Sequence, residues 1–198
     1  MSEITLKLAL SRRRTVRDYS DAPVSLEVVR RLLWAAQGIT DSEGGRTAPS
    51  AHAVHPVRLH LVANRVLGLD RGHYEVDPSD NELKKLSDVD LRSALTDAAI
   101  GDPQSISDAA CIVIICGDML TPTRMFSDQK PYGLRGARYV YMEAGAVSQN
   151  LQLQAVAEGL GSVCIGGFDD EATANVLGLQ DPLAPIMQVC VGYPMISD

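Results

Sequence analysis

No stretch of this 198-residue chain reaches the roughly 20 consecutive apolar residues that a bilayer-spanning helix needs, which argues against a membrane partner. The opening residues Met1-Ser2-Glu3-Ile4 lack the basic-then-apolar layout of a secretory signal, so a cytoplasmic location is expected. There is no surplus of positive charge: the formal net charge is −7, and binding to nucleic acid is dominated by phosphate neutralisation. No nucleic-acid partner is therefore expected. The four cysteines, Cys111, Cys116, Cys164 and Cys190, form no Cys-x-x-Cys pair and no zinc spacing. Each lies in an apolar run and reads as a buried free thiol acting as a small hydrophobe. His52 and His55 stand three apart, but no nearby carboxylate or cysteine completes a ligand set, so no metal is expected. Internal repeats, low-complexity stretches and dividing linkers are also absent. Residues 1–198 read as one domain, long enough to bury roughly 70% of the unfolded surface.

What is present begins with a basic cluster in an otherwise acidic protein. Arg12, Arg13, Arg14 and Arg17 fall within six residues together with the Thr15 hydroxyl. Neighbouring guanidinium groups repel one another and gain most from a dianion among them. A phosphate monoester carries about −1.5 to −2 charges and three acceptor oxygens, which arginine forks match bidentately. A solvated basic turn is the alternative on this segment alone. No Gly-x-Gly-x-x-Gly turn exists for a dinucleotide pyrophosphate.

The periodicities predict a mixed fold. Ser25 caps a helix over residues 26–37, whose apolar residues make one stripe and which Gly38 stops. Residues 57–63 alternate as a strand, a turn at 70–72 leads to a strand at 73–76, and 82–86 and 91–100 read as short helices. Residues 110–116 are apolar on both faces and predict a central strand. A long, small-faced helix over 135–158 follows, then strands at 163–165 and 186–192 with a helix at 170–177 between them. The expected class is α+β, a mostly antiparallel central sheet wrapped by helices.

Four segments stand out in order: the arginine cluster; Arg46-Thr47-Ala48-Pro49-Ser50-Ala51-His52-Ala53-Val54-His55-Pro56; Glu143-Ala144-Gly145 with Gln149-Asn150-Leu151; and Cys164-Ile165-Gly166-Gly167-Phe168. Together they resemble the flavin-dependent nitroreductase family, nearest its SagB-type thiazoline/oxazoline dehydrogenase branch. The resemblance implies a nitroreductase-like fold and an interleaved homodimer with flavin sites at the subunit interface. It assigns the FMN phosphate to Arg13, Arg14, Thr15 and Arg17, and the isoalloxazine to Pro49, Ser50, Ala51, Gly166 and Gly167. The implied activity is transfer of electrons from NAD(P)H to a nitroaromatic, quinone or similar small acceptor. A flavin-dependent dehydrogenase of a small molecule or modified peptide, or a flavin-binding scaffold without turnover, is the alternative. Because the cofactor carries the chemistry, no Ser-His-Asp or paired-carboxylate arrangement is needed. His52 and His55 either protonate a substrate or bond loop backbone. The branch's adjacent Lys-Tyr pair is here Lys130-Pro131-Tyr132, and the histidine after its Glu-Ala-Gly is here Ala146. Lys130 and Tyr132 are accordingly the candidate proton-transfer residues.

Overall fold

The computed structural model describes residues 4–77, 79–80, 82–101 and 104–195; Met1 to Glu3, read above for a signal, lie outside them. Its centre is strand β6 (Cys111–Asp118), fully buried from Cys111 to Cys116. Antiparallel neighbours build a six-stranded sheet around it in the order β5 (Leu83–Ser87), β4 (Gly72–Val76), β2 (Val57–Ala63), β6, β8 (Leu183–Gly192), β7 (Gly161–Ile165). A two-stranded parallel pair, β1 (Val24–Ser25) with β3 (Val66–Leu67), stands beside it. The fold is α+β, and every pairing in the main sheet is antiparallel.

Because β6 alternates apolar side chains to both faces, each face needs a cover. Leu59, Leu61, Val113, Ile115, Val189 and Val191 pack with α2 (Leu26–Gln37) and α6 (Arg135–Ala157) in one cluster. On the opposite face Val62, Ile112, Ile114, Val163 and Cys190 pack with Leu95, Ile106 and Leu177, from α3 (Arg92–Ala98), α4 (Gln104–Asp108) and α7 (Asp170–Leu177). Helix α2 forms as expected: the Ser25 hydroxyl accepts from the Val28 amide, Val29, Leu32, Leu33 and Ala36 make the buried stripe, and Gly38 ends it. Helix α6 buries Val140, Ala144, Val147, Leu151 and Ala155 along one side. Its C-terminal end is tied to α2 by Glu158, whose buried carboxylate takes two bonds from Arg31, at 2.7 and 2.9 Å.

One expectation is corrected. Residues 82–86, predicted as a short helix, instead form the edge strand β5. A five-residue helix has little stability of its own, whereas this segment finds cross-strand partners. Lys84 lies opposite Glu75 with a 3.6 Å ion pair, and Lys85 lies opposite Tyr74, over its ring. Lysines on the open side also suit an edge strand, where they discourage pairing with another chain. Helices α1 (Leu6–Arg12), α4 and α5 (Thr121–Met125) had no clear sequence signal. Cys111, Cys116 and Cys190 are buried free thiols as expected; burial pushes the first two up to about 12.

Between β2 and β4, His60 and His73 stack at 5.1 Å and share one hydrogen bond, 2.9 Å from Nδ1 to Nε2. Burial lowers both, His73 to about 4, with His60 adding to the effect on His73. A histidine held neutral in the fold but free to charge at about 6.5 when unfolded stabilises the native state above that pH; the contribution is lost as pH falls from 6.5 toward 4. The melting temperature should therefore fall by several degrees between pH 7 and pH 5, and the double change His60→Leu/His73→Leu should flatten that slope, as followed by circular dichroism.

Candidate functional site

The arginine cluster is fixed by backbone pairing rather than by its own side chains. Following α1, Thr15 bridges in parallel to Ser162 at the start of β7, and the Val16 amide donates to the Ser162 carbonyl at 3.0 Å. The Tyr19 hydroxyl donates to the carbonyls of Val16 and Cys190, and burial drives its pKa upward. Gly161 is needed for this close approach, since a Cβ there would meet Val16 at 2.6 Å. The side chains so placed face outward. Arg14 donates to the carbonyls of Ser11 and Arg13, and Arg13 reaches Gln152 of α6 at 3.4 Å. Arg12, Arg14, Thr15 and Arg17 are exposed. Among the described residues none of the four arginines has a carboxylate within ion-pair distance. Four like charges without a counterion leave their attraction available to an anion.

At the other end of β7 lie Gly166 and Gly167, both exposed. A Cβ on Gly166 would meet nothing within 4 Å, so open space stands before it. The Gly167 carbonyl accepts from the Ile100 amide at 2.7 Å, and Phe168 bridges to Ala99, which stitches the turn to the end of α3. With about 3.3 Å of rise per residue, Ser162 and Gly166 are roughly 13 Å apart along the strand. Between them the Cys164 thiol contacts the Ser148 hydroxyl of α6 at 3.0 Å.

The Pro49–Ala51 segment sits elsewhere on α6. Asn150 donates to the Thr47 carbonyl at 3.0 Å, which docks the segment onto the helix. A cavity of about 350 Å³ is lined by Pro49, Ser50, Ala51, Tyr139, Met142 and Glu143. It includes none of Arg13, Arg14, Thr15, Arg17, Gly166 or Gly167. Glu143 and Gln152 are nine positions apart, about 13–14 Å along the helix. The arginine segment and the Pro49–Ala51 cavity thus meet separate stretches of α6. Lys130 and Tyr132 line neither; both are exposed, Tyr132 by 63%.

The loop from Ser50 to Val57 holds three residues in the left-handed region, His52 (φ 53°), Ala53 (φ 52°) and His55 (φ 48°). For residues with a Cβ each costs on the order of 1–3 kcal/mol and persists only where the surroundings over-determine it. Here they do. The His55 amide donates to the Ser50 hydroxyl at 2.8 Å, Arg58 donates to the carbonyls of His55 and Val57, and Gln37 donates to the Val57 carbonyl. His52 packs edge-on against Phe126, which packs in the same way against Tyr139. The His55 main chain is bonded at both its amide and its carbonyl, while its ring Nδ1 is buried without a hydrogen-bond partner. Its ring is held neutral by burial and by the charges of Arg46 and Arg58.

Glu143, part of the Glu-Ala-Gly motif but given no role from sequence, proves central. It is 4% exposed and lines the cavity with Pro49, Ser50 and Ala51. Burial raises its carboxyl above the usual range, against the pull of neighbouring polar groups and of Arg46 and Arg58. Helical spacing was the available signal, since Tyr139, Met142 and Glu143 share one face; the docking of Pro49 to Ala51 beside them was beyond sequence reasoning.

A model of the Nitroreductase family matches residues 10–193. The chain belongs to that family. A provisionally named nitroreductase of Methanocaldococcus jannaschii is 33% identical over 192 residues, covering 97% of this chain and 92% of that protein. A Streptococcus pyogenes protein provisionally named a NAD(P)H nitroreductase is 24% identical over 187 residues, covering 92% and 86%. Among solved structures, a Ralstonia eutropha JMP134 protein provisionally named a nitroreductase superposes with a TM-score of 0.80 at 26% identity, covering 100% of this chain and 86% of that one. Nitroreductases are oxidoreductases, and the sheet and helices described above are the fold shared with these relatives.

The wall carrying Phe126 and Tyr139 depends on Gly136, where a Cβ would meet the Pro122 and Thr123 backbone at 2.3 Å. Neither backbone can yield cheaply, so Gly136→Ala should destabilise the protein by about 1–3 kcal/mol, read as a lowered denaturant midpoint.

Proposed function

We propose that this nitroreductase is an FMN-dependent oxidoreductase, one domain over residues 1–198, which moves electrons from NAD(P)H to a small acceptor such as a nitroaromatic or a quinone in a ping-pong cycle. The observation that carries the reading is the uncompensated arginine cluster at one end of β7 with the open Gly166 turn at the other. A monophosphate flavin matches that pair of features, and the absence of a Gly-x-Gly-x-x-Gly turn argues against a second phosphate.

In this reading Arg13, Arg14 and Arg17 hold the phosphate, with a bond from the Thr15 hydroxyl. Gly166 and Gly167 admit the ring edge where any side chain would intrude. Bound flavin supplies the redox chemistry, taking up a hydride equivalent and passing electrons on. Pro49, Ser50 and Ala51 would form the other wall of the ring site, contributed by a second copy of the chain. Support for a homodimer comes from the outer side of α6, where Tyr141 and Met142 are 57% and 64% exposed. A neighbouring groove of about 410 Å³ adds Leu6, Trp34 and Leu153. The printed name of the Streptococcus pyogenes relative is the support for NAD(P)H as donor. We assign no proton-transfer role to Lys130 or Tyr132.

The purified protein should be yellow and release FMN, not FAD, on heating; a colourless protein that also fails to take up FMN overturns the reading. Arg17→Ala should weaken FMN by about 1.5–3 kcal/mol, the scale of one charge-assisted bond, as read by fluorescence titration. Lys130→Ala and Tyr132→Phe should alter NAD(P)H-dependent quinone or nitro reduction by much less than the 10²–10⁴-fold that follows loss of a general acid or base, in steady-state assays.

A further inference from the structure

We propose that the cavity at the C-terminal end of α7 binds a small primary amine in its protonated form, with the His60 imidazole as hydrogen-bond acceptor and the carboxylates of Glu75 and Asp181 as counterions. The site lies away from α6 and does not rest on the flavin reading. Leu59 and Leu61 of β2 pack with α6, so His60 shares the opposite face of the sheet with Val62. There it stands in one row: Lys84, Glu75, His60, Ile114, Gln188 and Ile165 are successive cross-strand partners. The row lacks hydrogen bonds. Among the described residues, His60 Nε2 and both side-chain amide atoms of Gln188 are buried without a partner, and His60 is only 5% exposed. Buried polar atoms are nearly always paired with protein or with something bound. At His60 there is room for the missing partner, because it lines a cavity of about 360 Å³ together with Glu75, Leu86 and residues 177–183.

The lining sets the chemistry of the occupant. His60 Nδ1 and His73 Nε2 lie 2.9 Å apart in two buried rings, and two neutral imidazoles share one proton across such a bond. With that proton on His60, its Nε2 keeps a lone pair that only an N–H or O–H donor satisfies. No arginine or lysine lines the cavity, whereas Glu75 and Asp181 do. Helix α7 ends there at Gly178, which brings the negative end of its dipole. Lys84 answers Glu75 only through an exposed pair at 3.6 Å, a contact of little strength. The field therefore favours a donor that is also positive. Leu86, Leu177, Leu179 and Leu183 supply apolar wall, so the ammonium group should carry an apolar body such as a single aromatic ring. An α-amino acid is excluded by the same lining, because its carboxylate would meet carboxylates.

The test titrates benzylamine into the full-length protein at neutral pH, where the amine is charged, and follows imidazole and amide nitrogen resonances by NMR. Benzyl alcohol and benzoate serve as the uncharged and anionic controls of similar shape. Benzylamine should shift the His60 ring nitrogens and the amides of residues 177–183 saturably at millimolar concentration, and benzoate should leave them unmoved. His60→Leu should weaken the amine about tenfold or more, the loss of one hydrogen bond to a charged group. Glu75→Gln and Asp181→Asn should each weaken it several-fold, and both losses should shrink as salt is raised. Absence of any shift at these residues, with ordered water alone in the cavity, overturns the proposal. So do benzyl alcohol binding as tightly as the amine, and shifts confined to the arginine segment or to Gly166. Should His60→Leu fail to fold, the two carboxylate variants decide in its place: wild-type affinity in both counts against the site, and a loss in both supports it.

Discussion

The structure depends on one constraint: a strand apolar on both faces cannot be left half covered. Cys111 to Cys116 of β6 expose nothing to water, so the chain must supply a helical layer to each side of the sheet. The layer made by α2 and α6 is where function gathers, because α6 runs the length of the site and touches both of its halves. Ser148 and Gln152 meet Cys164 and Arg13, while Tyr139 and Glu143 line the cavity with the Pro49–Ala51 loop. Packing demands set where the helix lies, and the helix then sets the spacing of the half-sites.

Charge is divided between those halves in opposite ways. Around Arg13 to Arg17 the guanidinium groups lack counterions among the described residues, which leaves their attraction available to a ligand. Around Glu143 the charges are sequestered, and Arg46 and Arg58 serve the loop's shape. Burial lowers Arg46 and raises Glu143; the two shifts have one cause, the withdrawal of water from a compact group of ions. The ionic contacts that shape the loop and the unpaired arginines are thereby kept about 13–14 Å apart along α6.

Much of this was legible in the order of residues, for reasons that differ by element. Helix α2 and strand β6 declare themselves through a cap, a stripe and an uninterrupted apolar run, all local signals. Strand β5 did not, because its identity comes from Glu75 and Tyr74 across the sheet, and Leu83 to Ser87 carry no strong preference alone. Helix α1 was silent for a related reason: Leu6, Leu8 and Leu10 are exposed in the single chain, so no apolar stripe faces this chain's own core. At the site, the arginines and paired glycines could be singled out by type and spacing. The place of Glu143 could not, since Pro49 to Ala51 are more than ninety residues away in the chain and meet it only through the docking of the Thr47 segment on α6.

The bridge between Thr15 and Ser162 carries a second meaning. Strand β7 ends the sheet, and its outer edge would present unpaired amides and carbonyls, a template for aggregation. The segment that bears the arginines lies along that edge and occupies part of it. The stretch of chain that carries the arginine cluster is therefore also an edge guard. Sequence changes that move its backbone would be punished through solubility even where the ligand is dispensable, so the course of this segment should drift more slowly than the side chains it displays.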